Sequence, residues 1–394
     1  MATHAETLTA PLVHQHRHNV AGRLFRAALD RFLLLPLGAA IALIWANTEP
    51  ETYFRFARQW AFAVNEIAMA FFLALIAQEL HEALMPGGAL AKWRHRTLPI
   101  VAALGGLIGS AAAFFSIVNA SHQQMLAAGW PVVVAVDIAA GYYVMRMLYP
   151  RRSTVIAFVL LTAVFTDAIA IALTSARAPG LELHLSGFGL LLLALLSAVV
   201  LRRQGVKSFV PYWLVSGTLS WFALYWLGIH PALALVPIVP LLPHDHRGGD
   251  VFADRDDHNP IHHAEHQWNG IAQVAVFLFG LVNAGVIISQ VDTGTWAVVI
   301  AAVVGRPLGI ILAVAMAMAA GMRLPKQMQW ADVTVAALAT TSGFTFALFL
   351  ATAALPVGAV AQQVTIGALL TVTGAFLTLG LAWVLGVGRF KPLA

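Results

Sequence analysis

Residues 131–148 read PVVVAVDIAAGYYVMRML. Eighteen residues of α-helix at 1.5 Å each are about 27 Å long, close to the roughly 30 Å hydrocarbon core of a bilayer. The apolar residues run continuously and do not alternate, which excludes a strand here and a transmembrane β-barrel in general. At the centre sits Asp137. A charge at that depth costs about 2.5–3.5 kcal/mol on insertion scales, so an acid there is by default a functional residue. The whole chain has the same character: 60% of its 394 residues are hydrophobic and 10% charged, against roughly 45–50% and about 25% in a soluble domain. No soluble fold of this length can keep so much apolar surface out of water. The composition therefore predicts an all-α integral membrane protein whose main partner is the lipid bilayer.

Working outward from this stretch, the chain offers about twelve such runs. Three precede it, at 32–47, 61–84 and 98–118, and eight follow, at 154–175, 187–201, 211–227, 230–242, 270–289, 296–320, 332–354 and 364–387. The eighth is short, and the tenth carries Gly305-Arg306-Pro307 in its middle, a sequence expected where a helix is locally broken or closely packed. Residues 1–31 form a polar tail, and 32–394 the membrane domain, in which 244–269 is a loop rich in His and Asp. Of the 23 Lys and Arg, nineteen fall in one alternating set of loops and three in the other, with Arg306 inside a span. The positive-inside rule places the crowded set in the cytoplasm, and with it both termini. The net charge of +5 is thus an orientation signal and implies no nucleic-acid partner. With no cysteine, the chain has no disulfide, thiolate metal site or cysteine nucleophile. It carries no phosphate-binding Gly-Lys-Ser/Thr loop, so ion gradients are the expected driving force. Neither Ser-His-Asp nor His-Glu-x-x-His is recognisable in its short loops, so it reads as no enzyme, and no cofactor is expected.

The chemistry is concentrated in the ionisable residues of the spans: Glu66, Glu79, Glu82, Asp137, Asp167 and Arg306. A structural ion pair needs one acid and one base, so with Asp137, Asp167 and Arg306 near the middle of three spans one carboxylate is in surplus. A partly dehydrated carboxylate holds either a proton or a small hard cation such as Na+ or Li+. The two occupants exclude each other, which is the elementary chemistry of an antiporter. Two other readings remain on this evidence: a carrier of a different solute, for instance an anion drawn to Arg306, and a non-transporting membrane sensor.

Several segments together resemble the NhaA-type Na+/H+ antiporters. They are Val133-Val134-Ala135-Val136-Asp137-Ile138-Ala139, Phe165-Thr166-Asp167-Ala168-Ile169-Ala170, Gly228-Ile229-His230-Pro231, Asn283-Ala284-Gly285-Val286, Gly305-Arg306-Pro307-Leu308-Gly309 and Gly343-Phe344-Thr345-Phe346. Their order covers nearly the whole chain. The resemblance implies a secondary active sodium or lithium/proton antiporter of a bacterial inner membrane, working by alternating access. Its helices three to five and ten to twelve would be inverted repeats, with helices four and eleven broken and crossing. It also raises a homodimer, formed in some of the family through a hairpin after the first helix; the segment here, Thr48–Trp60, is short. Carried over by position, Asp167 is the cation-binding carboxylate, and Asp137 compensates facing helix-terminus dipoles.

The chain departs from the family in three places. An adjacent pair of aspartates reads Thr166-Asp167, a lysine has become Arg306, and the residue before Asp137 is Val136, not Thr. Thr166 is then expected to supply a replacement oxygen, giving Asp167, Asp137 and Thr166 as cation ligands. Arg306 cannot release a proton in a transport cycle, and it is expected to neutralise Asp137 or Asp167. One exchangeable carboxylate would remain, and exchange would be electroneutral.

Six of fifteen histidines lie between His244 and His266, interleaved with acids. Histidine titrates near neutrality. The resemblance implies a pH-responsive cluster of Glu79, Glu82, Glu265 and His266 at the cytoplasmic side. The plainer readings are a solvated loop, or a divalent-metal site through His244-Asp245-His246 and His262-His263. His230, opening the short eighth span, reads as a helix-end hydrogen-bonder or a sensor, and Asn65 and Glu66 as packing or interhelical partners.

Overall fold

The computed structural model describes residues 34–84, 93–150, 153–175, 185–206, 208–242, 262–325, 328–356 and 358–391. Among them the chain is helical, without strands. The first run forms α1 (Leu34–Thr48), followed by α2 (Pro50–Phe62), a π-helical stretch Ala63–Ala68 and α3 (Met69–Leu84). Tyr53 of α2 is buried, donating its hydroxyl to Val282 O and accepting from Gly285 N, both at 2.9 Å. The long α4 (Trp93–Ala120) precedes the first broken segment, α5 (Trp130–Val133) and α6 (Ile138–Leu148). Next come α7 (Thr154–Ser175), α8 (Leu185–Arg203) and α9 (Thr218–Trp226). After α10 (His262–Asn283), α11 (Thr293–Ile300) passes through a π-helical stretch, Ala301–Gly305, into α12 (Arg306–Ala319). The second broken segment is α13 (Trp330–Ala339) and α14 (Phe344–Ala354), and α15 (Ala359–Leu370) and α16 (Thr373–Val384) close the chain.

Among the described residues, four helices are long and apolar enough to cross a membrane: Thr97–Ala120, Ser186–Arg203, Thr293–Ala319 and Ala359–Phe390. The pair α13 and α14 passes the same test as one span bent by 47°. The eighth run is not a continuous helix. It folds as short 3-10 turns, Pro231–Leu233 and Val239–Leu241, because Pro231, Pro237 and Pro240 each lack the N–H that an α-helix needs.

The Gly305-Arg306-Pro307 sequence lies at a close helix contact, and its helix is widened to π geometry just before Arg306. A Cβ on Gly305 would stand 2.7 Å from Gly109 O, and one on Gly105 would stand 2.5 Å from Gly309 O. The backbones of α4 and α12 touch along this seam, as small residues allow between helices in lipid.

The two breaks lie against each other. Asp137 N donates to Ser342 O at 2.6 Å, and a Cβ on Gly343 would stand 2.7 Å from Ala135 O. Both breaks follow from sequence. Asp137 acts as an N-cap, accepting from Ala140 N at 2.9 Å and turning the chain out of helix. Thr340, Thr341 and Ser342 offer hydroxyls that compete with helical backbone bonds, and Gly343 lets the second backbone approach.

Candidate functional site

Four half-helix ends meet at the crossing, and each leaves backbone groups without an intrahelical partner. The amino ends of α6 and α14 converge on Asp137. Its Oδ1 accepts from Ala140 N at 2.9 Å, and its Oδ2 accepts from Thr345 N at 3.2 Å and the Thr345 hydroxyl at 2.6 Å. One carboxylate therefore caps two helices, where the partial positive charge of both amino termini favours an anion. The carboxyl ends of α5 and α13 converge on Arg306. Its Nη2 donates to Val133 O and its Nη1 to Thr340 O, both at 2.5 Å. A planar guanidinium reaches two carbonyls on different helices, which a single ammonium does less well. Arg306 is 1% exposed and Asp137 7%.

The expectation that Arg306 neutralises a carboxylate takes a different form here. Its terminal nitrogens donate to helix-end carbonyls and not to Asp137 or Asp167, while its charge acts on Asp167 through space. The reason is geometric: carbonyls stranded at the two breaks need donors, and Asp137 already holds three.

Asp167 lies on α7 and is 2% exposed. Its Oδ1 accepts from Val136 N at 2.9 Å, inside the first break, and its Oδ2 is buried without a hydrogen-bond partner. Thr166, equally buried, donates its hydroxyl to Thr162 O one turn back at 2.7 Å. Arg306 Nε and Ser342 Oγ are likewise buried and unpartnered. Asp167, Asp137 and Arg306 are thus brought to one place with free polar atoms left over, and Thr166 precedes Asp167 on α7 with its hydroxyl turned to its own helix.

Glu79 and Glu82 fall on α3, and Glu265 and His266 on the first turn of α10, but the positions of these side chains lie outside the described residues. So does most of the His-rich loop, including His244-Asp245-His246. No group of three or more His, Cys, Asp or Glu that could hold a metal occurs among the described residues. His230 acts as a helix-end bonder: its Nδ1 accepts from Ala232 N at 3.3 Å and lies 3.6 Å from Glu66 Oε2. Asn65 joins helices by reciprocal amide bonds with Asn283, at 2.7 and 3.2 Å.

Sequence reasoning missed Thr345 as the second donor to Asp137, the carbonyls of Val133 and Thr340, and Ser342. It also missed the pair Tyr149–Asp332, whose hydroxyl-to-carboxylate bond is 2.8 Å and joins the end of α6 to the start of α13. Burial and the neighbouring Asp332 push the Tyr149 phenol above its usual range, so it stays a neutral donor.

The family described as Na+/H+ antiporter 1 matches residues 23–384. The chain is 36% identical over 368 residues to a Na(+)/H(+) antiporter NhaA of Desulfitobacterium hafniense, covering 91% of this chain and 95% of that one. It is 34% identical over 377 residues to the namesake in Geotalea uraniireducens, covering 92% and 98%. Among solved structures, the sodium proton antiporter MjNhaP1 of Methanocaldococcus jannaschii superposes with a TM-score of 0.60 at 16% identity, over 94% of this chain and 96% of that one, a likeness of fold. With the match running through both breaks, α7 and Arg306, the chain belongs to the Na+/H+ antiporter 1 family.

Proposed function

We propose that this protein exchanges Na+ or Li+ for protons across a bacterial inner membrane, with Asp167 holding each in turn. The observation that carries this is Asp167 Oδ2: a buried carboxylate oxygen without a protein donor, beside two broken helices. Such an oxygen is stabilised by a proton or by a cation, and occupation by one displaces the other. Asp137 belongs to the site as the carboxylate that balances two helix amino ends and flanks the ion. Thr166, its hydrogen engaged by Thr162, still offers an oxygen lone pair to the ion. An anion as cargo is disfavoured, since both terminal nitrogens of Arg306 are engaged by carbonyls.

The twelve-span arrangement, the inverted repeats of spans three to five and ten to twelve, the cytoplasmic placement of both termini and alternating access are part of the same reading. The two breaks, one in the fourth run and one in the eleventh, support it, since each repeat then holds one. Arg306 keeps its charge through the cycle, so one proton leaves for each cation and no net charge moves.

Reconstituted protein in proteoliposomes tests this. Acidifying the lumen should drive Na+ uptake at a rate unchanged by clamping the membrane potential, and Asp167→Asn should abolish it. Lowering the external pH should raise the KM for Na+ by at most about tenfold per pH unit, the limit for one competing proton. A rate that follows the clamped voltage would refute electroneutrality, and full activity of Asp167→Asn would refute the site.

A further inference from the structure

The break between α13 and α14 carries three hydroxyls in a row. Thr340 and Thr341 donate theirs to Ala337 O and Leu338 O, each at 2.7 Å. Around the crossing the other hydroxyls are also engaged: Thr345 with Asp137 at 2.6 Å, Thr166 with Thr162 O at 2.7 Å, and Thr371 with Ala368 O at 2.6 Å. Ser342 differs. Its residue is 1% exposed, and its Oγ is buried with no partner, although a carbonyl three residues back serves its two neighbours.

Ser342 and Asp167 hang from consecutive amides. Asp137 N donates to Ser342 O at 2.6 Å, and Val136 N donates to Asp167 Oδ1 at 2.9 Å. Each of the two residues thus presents one buried oxygen without a partner, and the two oxygens are not bonded to each other. A hard cation holds its oxygens at about 2.3–2.6 Å in the case of Ca2+, an ion nearly the size of Na+. Two ligands of one such ion therefore stand farther apart than the partners of a hydrogen bond.

We infer that Ser342 Oγ is an oxygen ligand of the transported cation, completing with Asp167 a site that contains a single exchangeable carboxylate. The inference rests on Asp167 being the exchange site and names a ligand for it. Its chemistry suits the charge count. A hydroxyl adds coordination without adding a second titrating group, so the ion is held more tightly and the exchange still releases one proton. Where an acid is absent at position 166, a neutral oxygen from the opposite broken helix takes up coordination.

The test compares wild type, Ser342→Ala, Ser342→Cys, Ser342→Thr and Asp167→Asn in proteoliposomes. KM and maximal rate are measured for Na+ and for Li+, alongside the rise in melting temperature that each ion gives in detergent. Removing the oxygen (Ala), or replacing it with a soft sulfur that keeps the volume (Cys), should raise the cation KM about tenfold, equivalent to roughly 1.4 kcal/mol of binding. The maximal rate and the ion-free melting temperature should change little, and the ion-induced rise should shrink. Thr should keep the wild-type KM. If Ala and Cys leave KM and ion-induced stabilisation unchanged while Asp167→Asn is inactive, this inference fails and exchange at Asp167 stands. If wild type shows no exchange, or Asp167→Asn is fully active, the underlying reading fails instead.

Discussion

At the seam between α4 and the helix that runs through Gly305 into α12, Gly105, Gly109, Gly305 and Gly309 bring two backbones into contact. One residue beyond Gly305, Arg306 enters the crossing of the two broken segments, where it binds the carbonyls of Val133 and Thr340 and where Asp137 binds Thr345. The seam is held by dispersion between small residues, which is short-ranged and tolerates no added atom. The crossing is held by a charge at each pair of helix ends, and loses stability when a charge or donor is removed. The comparison teaches that the seam fixes where Arg306 stands, while the crossing determines what its charge does.

Mutations can break this contrast from either side. The largest expected effect is Arg306→Ala. It leaves the carbonyls of Val133 and Thr340 buried and without donors, at about 1–3 kcal/mol each, and should show as a loss of folded, monodisperse protein in detergent. Arg306→Lys should recover the fold but restore a titratable base, so its exchange should respond to the clamped potential where the wild type does not.

Gly305→Val tests the seam. Its side chain would meet Gly109 O and Ala113 Cβ at 2.7 and 2.6 Å, and overpacking of this kind costs on the order of 1–3 kcal/mol. A drop in thermal stability with a parallel loss of rate is expected, whereas unchanged stability would mean the helices can separate there. Thr345→Val removes one of three donors to Asp137. A hydrogen bond to a charged group is worth about 1.5–3 kcal/mol, so melting should fall while the cation KM moves less than in Ser342→Ala. The smallest effect is expected for Tyr149→Phe, which loses one bond to Asp332 at the far ends of α6 and α13. The stability change should fall at the low end of the same range, about 1.5 kcal/mol, measured as a small shift in melting with exchange retained.

The charged members of the site were legible in the sequence because charge is conspicuous in apolar runs: Asp137, Asp167 and Arg306 stood out before any fold was known. The breaks were partly legible too, through the resemblance. What Arg306 holds was not, because its partners are backbone carbonyls and every residue has one. Ser342 was hidden for a different reason. A serine in a span is unremarkable until all its neighbours are seen to be bonded and it is not. The eighth run misled because length and hydropathy resemble a helix, while three prolines in ten residues prevent one.

The central claim is that one carboxylate on α7 carries the proton and the cation alternately. It is tested most directly by adding Na+ to purified protein in weakly buffered detergent and counting the protons released with a pH indicator. Wild type should release about one proton per Na+ bound, as displacement at one titrating group requires, and Asp167→Asn should release none. Sodium binding without proton release, or release undiminished in Asp167→Asn, would contradict the account.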